Sequence, residues 1–242
     1  MSVKSVYARG CGLFRALPLL LALPFLGELL QHAAEIRLGM YAGPLSAHAQ
    51  AVRLVFGAAK ILALLLTILI ALRWWRFDGD LGRALRPSRR LAKGLVLVAL
   101  VHLGGDLLGL GIGAVVLALL GDPSRSARIA AMVVPLLGWL FIAGLIYPWY
   151  VGLLTEDNEM TLRRSITVMR GRLFPTFGLL VAGYMPLMIV HYALGFGAMG
   201  QSGVALGIVM VIDAGVVALL IAILAATYFA IFSEAKRMSA RS

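Results

Sequence analysis

Glu28, His32 and Glu35 stand at i, i+4 and i+7, a spacing that lines three ionisable side chains along one helical face. His102 and Asp106 repeat the i, i+4 step, and Lys60, His191 and Asp213 stand singly in apolar surroundings. Histidine and carboxylate together form a donor set for Zn²⁺ and related ions. On that chemistry His32, His102, Asp106 and His191 are the candidate metal ligands. The same side chains can relay protons across a membrane. They can also simply pair, Lys60 with Glu28 or Asp213 and His102 with its own Asp106. The Glu-x-x-His step of helix-bundle metal sites is absent.

The elements that position these residues follow from composition. The chain has 242 residues, of which 61% are hydrophobic and 14% charged. A soluble domain has roughly 45–50% apolar and about 25% charged residues. The mean hydropathy is +0.94. A cytosolic enzyme, a disordered tail and a disulfide scaffold are excluded, and the single cysteine, Cys11, supports neither a disulfide nor a cysteine cluster. A spanning helix needs about 20 mainly apolar residues. Six stretches meet this, at 14–36, 53–73, 94–120, 129–153, 174–197 and 204–231. The expected fold is all-α: a polytopic bundle of six membrane helices in a single domain.

The formal charge is +11, and its placement decides its meaning. Seventeen of the 22 Lys and Arg fall in the N-terminal arm, the loops after spans two and four, and the tail. The alternate loops hold only Arg37, Arg53, Arg125 and Arg128. The positive-inside rule then puts both termini in the cytoplasm, as in a multi-pass protein of the bacterial inner membrane. The positive charge faces anionic lipid, and nucleic acid is not expected as a partner. Trp74 and Trp75, Tyr147, Trp149 and Tyr150, and Tyr228, Phe229 and Phe232 close the even-numbered spans at the inner interface. Ala47-His48-Ala49 resembles a signal-cleavage site but lies too far past the first apolar run, so that run is expected to stay as a helix. On the outward reading most of the ionisable residues lie in the outer half of their spans, which predicts a polar pocket of Glu28, His32, Lys60, His102, Asp106, His191 and Asp213.

Leu85-Arg86-x-Ser88 and Leu162-Arg163-x-Ser165 each precede a span and are each followed four residues later by a basic-Gly pair, with a looser copy from Lys4 to Gly10. This predicts three hairpin repeats, 1–80, 81–157 and 158–242, in the same orientation. Leu162, Ile166, Met169 and Leu173 share a face, with Arg163, Arg164 and Arg170 off it. The segment reads as a basic amphipathic helix in the cytoplasmic interface. Arg86, Arg89 and Arg90 in the earlier copy, with Arg163, Arg164 and Arg170, are the expected contacts to lipid head groups. Pro87 argues against an unbroken helix in the earlier copy.

The run from Glu156 through Leu162-Arg163-Arg164-Ser165 to Arg170-Gly171-Arg172-Leu173-Phe174 resembles a bacterial integral-membrane family. That family includes the membrane domain attached to some glycerophosphoryl diester phosphodiesterases. The ending Tyr228…Phe232…Glu234…Arg237 is similar to the family's aromatic-then-charged close. The resemblance covers roughly 155–237. It implies a membrane module and not the phosphodiesterase activity, whose soluble barrel has no room here.

Gly105, Gly109 and Gly113 form a small-residue stripe, as do Gly203 and Gly207, suited to close helix packing or to a homo-oligomer through the first stripe. Pro18, Pro24, Pro135, Pro148 and Pro186 predict kinks within spans. No Gly-x-Ser-x-Gly, Walker or His-Glu-x-x-His motif occurs. The leading expectation is a non-enzymatic membrane protein that binds lipid or a small amphiphile. A proton-coupled transporter and an intramembrane metal-dependent lipid enzyme are the alternatives.

Overall fold

A computed structural model describes residues 2–41, 43, 46–122 and 124–241. The described residues form helices and connecting turns, with no strand. The order is α1 (Val3–Ala16), α2 (Pro18–Arg37), α3 (Ala47–Arg76), α4 (Leu81–Leu85), α5 (Arg89–Leu120), α6 (Arg125–Ala143), α7 (Tyr147–Leu154), α8 (Leu162–Met169), a short 3₁₀ turn (Arg170–Arg172), α9 (Leu173–Ala198) and α10 (Gly203–Ser239). Six helices among these are long and apolar enough to cross a membrane. Leu54, Leu62 and Leu65 of α3 and Leu100 and Leu107 of α5 are exposed. Long helices with large apolar side chains exposed in this way suit hydrocarbon rather than water.

Proline moves two boundaries from where hydropathy puts them. The first apolar run breaks at Leu17, because Pro18 has no N–H to continue α1 and instead fits the first turn of a new helix. The fourth breaks at Gly144–Ile146, and Pro148 sits in the opening turn of α7. The carbonyl of Leu145, in that break, accepts a 2.6 Å hydrogen bond from the buried Ser165 hydroxyl. Pro24, Pro135 and Pro186 remain inside their helices. Ala47-His48-Ala49 opens α3 behind a Ser46 cap.

The chain divides into two compact units. The first holds residues 1–85 and 178–230, the second 86–177 and 231–242. In the first unit α10 is the central element. Ala214, Ala218, Ala222, Ala225 and Ala226 are buried along it, so neighbours approach closely. Gly10 of α1 lies where a Cβ would stand 2.5 Å from Ile223, and Gly183 of α9 where one would stand 2.6 Å from Thr227. Leu13, Leu20, Leu21 and Ala71 close around Ala222 and Ala225. Arg73, at the end of the second expected span, is fully buried and donates to the carbonyls of Ala84 (2.7 Å) and Arg83 (3.1 Å) at α4.

In the second unit α5 packs on α6 and α7, and α7 on α8. Gly105 sits where a Cβ would stand 2.0 Å from the Trp139 ring, so this part of the small-residue stripe packs within the chain. Lys236 bridges Asp157 (3.0 Å) and Glu159, and holds the Glu159 carboxyl below the usual carboxylate range. The repeated serines take three different places. Ser5 is in the first turn of α1, Ser88 caps α5, and Ser165 is buried inside α8. Pro87 lies before the cap, in a non-helical link that also contains Arg86, while Arg89 and Arg90 open α5. On α8, Met169 is buried and Ile166 partly buried, whereas Leu162 is exposed. Arg163 and Arg170 are exposed, and Arg164 reaches the Ser239 carbonyl at 3.0 Å.

Candidate functional site: a buried charge cluster

The site lies at one end of the first unit, where α2 hands over to α3 and α9 to α10. The helical spacing of Glu28, Gln31, His32 and Glu35 sets all four on one face of α2, and all four are buried. Arg53 and Lys60 come from one face of α3, His191 from α9, and Asp213 from α10. Tyr41 follows α2 and is anchored by its own carbonyl, which accepts from the Gly200 amide at 3.0 Å. Tyr41, Ala198, Leu206 and Met210 form a small core beneath it.

His32 is the hub. Its Nε2 is 2.9 Å from Asp213 Oδ2 and 3.4 Å from Glu28 Oε1. Its Nδ1 is 3.2 Å from Glu35 Oε2 and 3.2 Å from the Tyr41 hydroxyl. The outer oxygens are held in turn. Asp213 Oδ1 meets His191 Nδ1 at 2.8 Å, and Glu35 Oε1 accepts from Arg53 Nε and Gln31 Nε2, each at 2.8 Å. Lys60 Nζ lies 3.1 Å from Glu28 Oε2 and 3.3 Å from Oε1, aligned as a hydrogen bond only to Oε1. The Tyr41 hydroxyl donates to Glu35 at 2.9 Å. Burial and the Glu35 carboxylate push that phenol above its ordinary range, so it remains a donor.

This cluster floors a cavity of about 210 Å³. One wall is apolar. Tyr192, Gly195 and Phe196 of α9 and Met199 in the turn after it recur at i, i+3, i+4 and i+7, and Met40 also lines the cavity. No atom lies within 4 Å of where a Gly195 Cβ would be.

Five of the seven expected pocket residues therefore converge: Glu28, His32, Lys60, His191 and Asp213. His102 and Asp106 do not join them. They belong to the second unit, 3.8 Å apart and each about half exposed, with the His102 ring edge-on to Tyr150. Glu35, which shares the helical face of Glu28 and His32, is also a member of the cluster. Sequence reading missed Gln31, Tyr41, Arg53 and the apolar wall. Arg53 had a signal, since it stands seven residues before Lys60 and so on the same face. The chain matches no family model, no curated protein and no solved structure.

Proposed function

We propose that this is a non-enzymatic protein of the bacterial inner membrane, with both termini cytoplasmic, that binds a lipid or a small amphiphile in the pocket of its first unit. The observation that carries the reading is the two-sided lining of one cavity. A charged, hydrogen-bonded floor faces an apolar wall that continues into exposed Tyr192, Phe196 and Met199. A polar head suits the floor, and a chain suits the wall. Binding sites of this kind are concave, mainly apolar and carry a few fixed polar groups. The asymmetry of Lys and Arg supports the orientation, placing the pocket at the outer side. The exposed Arg86, Arg89, Arg90, Arg163 and Arg170 would meet anionic head groups at the other side. A relationship to the membrane domain of glycerophosphoryl diester phosphodiesterases would fit such a module.

Gly195→Trp tests the pocket. The indole would enter the open space beside Gly195 in the wall. Its helix costs no more than glycine's, so the bundle should melt at or above the wild-type temperature. Lipid retained through detergent washing, read by extraction and mass spectrometry, should fall at least tenfold. Unchanged retention by a folded variant would contradict the pocket.

A further inference from the structure

We propose that the floor of this pocket is a divalent transition-metal site of the Zn²⁺ class, with Glu28 Oε1, His32 Nε2 and Asp213 Oδ2 as its ligand atoms. The inference rests on reading the pocket as a ligand site and names what its polar end holds.

Convergence is the first ground. The three residues offer one donor atom each, all within 4.8 Å of one another, and all three residues are buried. A tetrahedral ion with bonds of about 2.0–2.2 Å sets neighbouring ligand atoms about 3.3–3.6 Å apart. The separation of His32 Nε2 from Glu28 Oε1 is 3.4 Å, and that from Asp213 Oδ2 is 2.9 Å. A small outward shift of Asp213 accommodates the ion.

The second ground is the outer ring. Metal-bound histidines donate their other N–H to a carboxylate or carbonyl, which fixes the tautomer. His32 has Glu35 on Nδ1, which keeps an N–H there, and an ion that displaces the proton facing Asp213 and Glu28 takes Nε2 as its lone-pair donor. Asp213 has its other oxygen on His191, so it is oriented through the atom that faces away from the ion. Glu28 is held by Lys60, whose aligned hydrogen bond at 3.3 Å goes to Oε1 itself, a contact the ion would share.

Charge and an unmet acceptor complete the argument. Glu28, Glu35 and Asp213 supply three carboxylates against the two permanent cations Arg53 and Lys60. The remaining negative charge is balanced by a proton on His32 or, once that proton is displaced, by a divalent cation. Gln31 lines the cavity and is more than nine-tenths buried, yet its Oε1 has no hydrogen-bond partner. A buried acceptor without a protein partner calls for a water or a ligand donor. Three protein ligands with one position open toward a cavity is the form of a metal site that takes a further ligand.

The test is a Zn²⁺ titration of the full chain in detergent after chelator treatment, with metal content and the lipid retained through detergent washing read on the same sample. About one Zn²⁺ per chain is expected, bound about 10–100-fold more weakly by Glu35→Gln and lost in His32→Gln and Asp213→Asn. Co²⁺ in the wild type should give the intense visible bands of a tetrahedral site, a reading that needs no variant to fold. Absence of stoichiometric Zn²⁺, or binding unchanged by Asp213→Asn, overturns the metal site. Lipid retained by a chain that binds no Zn²⁺ overturns the metal site and leaves the pocket. Zn²⁺ bound by a chain that retains no lipid upholds the metal site and removes the amphiphile.

Discussion

Asp213→Ala is expected to cost about 3–5 kcal/mol of stability, among the largest losses open to a single side chain here. Asp213 is completely buried and holds two histidines at once, His32 by Oδ2 and His191 by Oδ1. Alanine removes both contacts and leaves two polar rings with their partners gone. An unmatched buried polar group loses its full desolvation cost rather than the modest net value of one hydrogen bond. It also opens a gap beside α2. For a chain of this length the melting temperature should fall by roughly 6–20 °C. Asp213→Asn keeps the shape and one acceptor, so its loss should be smaller. Thermal melts in one detergent, with size-exclusion profiles, read both. A melting temperature for Asp213→Ala close to the wild type's would mean that the cluster does not hold α10 to α2.

Lys60→Leu gives the second large effect, and its meaning comes from a pair of variants. Glu28 is buried to 1% exposure and its nearest permanent cation is Lys60. Removing Lys60 alone leaves a carboxylate without its counter-charge, at a cost of about 3–5 kcal/mol. Removing the carboxylate as well, in Lys60→Leu with Glu28→Gln, should recover most of that loss. Replacing a whole buried pair by neutral groups is often close to neutral, whereas breaking one is costly. The double variant should therefore melt well above Lys60→Leu. A double variant as unstable as the sum of its singles would show that the two side chains act independently. His32 keeps Asp213 and Glu35 in the double variant, so the hub of the cluster survives the comparison.

These residues also show how far a sequence of this kind can be read. Six spans were legible because lipid demands about 20 apolar residues wherever a helix crosses. The shared face of Glu28, His32 and Glu35 was legible because helical periodicity is local. That Lys60 would pair with Glu28 or Asp213 followed from the cost of a lone charge in a span, and the structure pairs it with Glu28. Periodicity does not say which helix meets that face. His102 and Asp106 carry the same i, i+4 signal as Glu28 and His32, yet they lie in the other unit. Tyr41 lay in a short connection, where no period marks a residue. Arg53 was counted as a loop charge because α3 starts six residues before it, at Ala47. The apolar wall from Tyr192 to Met199 reads as ordinary lipid-facing sequence, since a pocket wall and a lipid face use the same residues. At Leu17 and Gly144–Ile146 the kinks expected at Pro18 and Pro148 are full breaks between helices, which hydropathy runs straight through. Only the proline that opens the next helix marks each one.

The most direct measurement is native mass spectrometry of the wild-type chain, released from its own membrane into the gas phase with its bound molecules retained. The account predicts a chain carrying one lipid or small amphiphile that survives activation energies sufficient to strip the annular lipids. A chain that emerges bare at those energies, while still compact, would contradict the binding pocket at its centre.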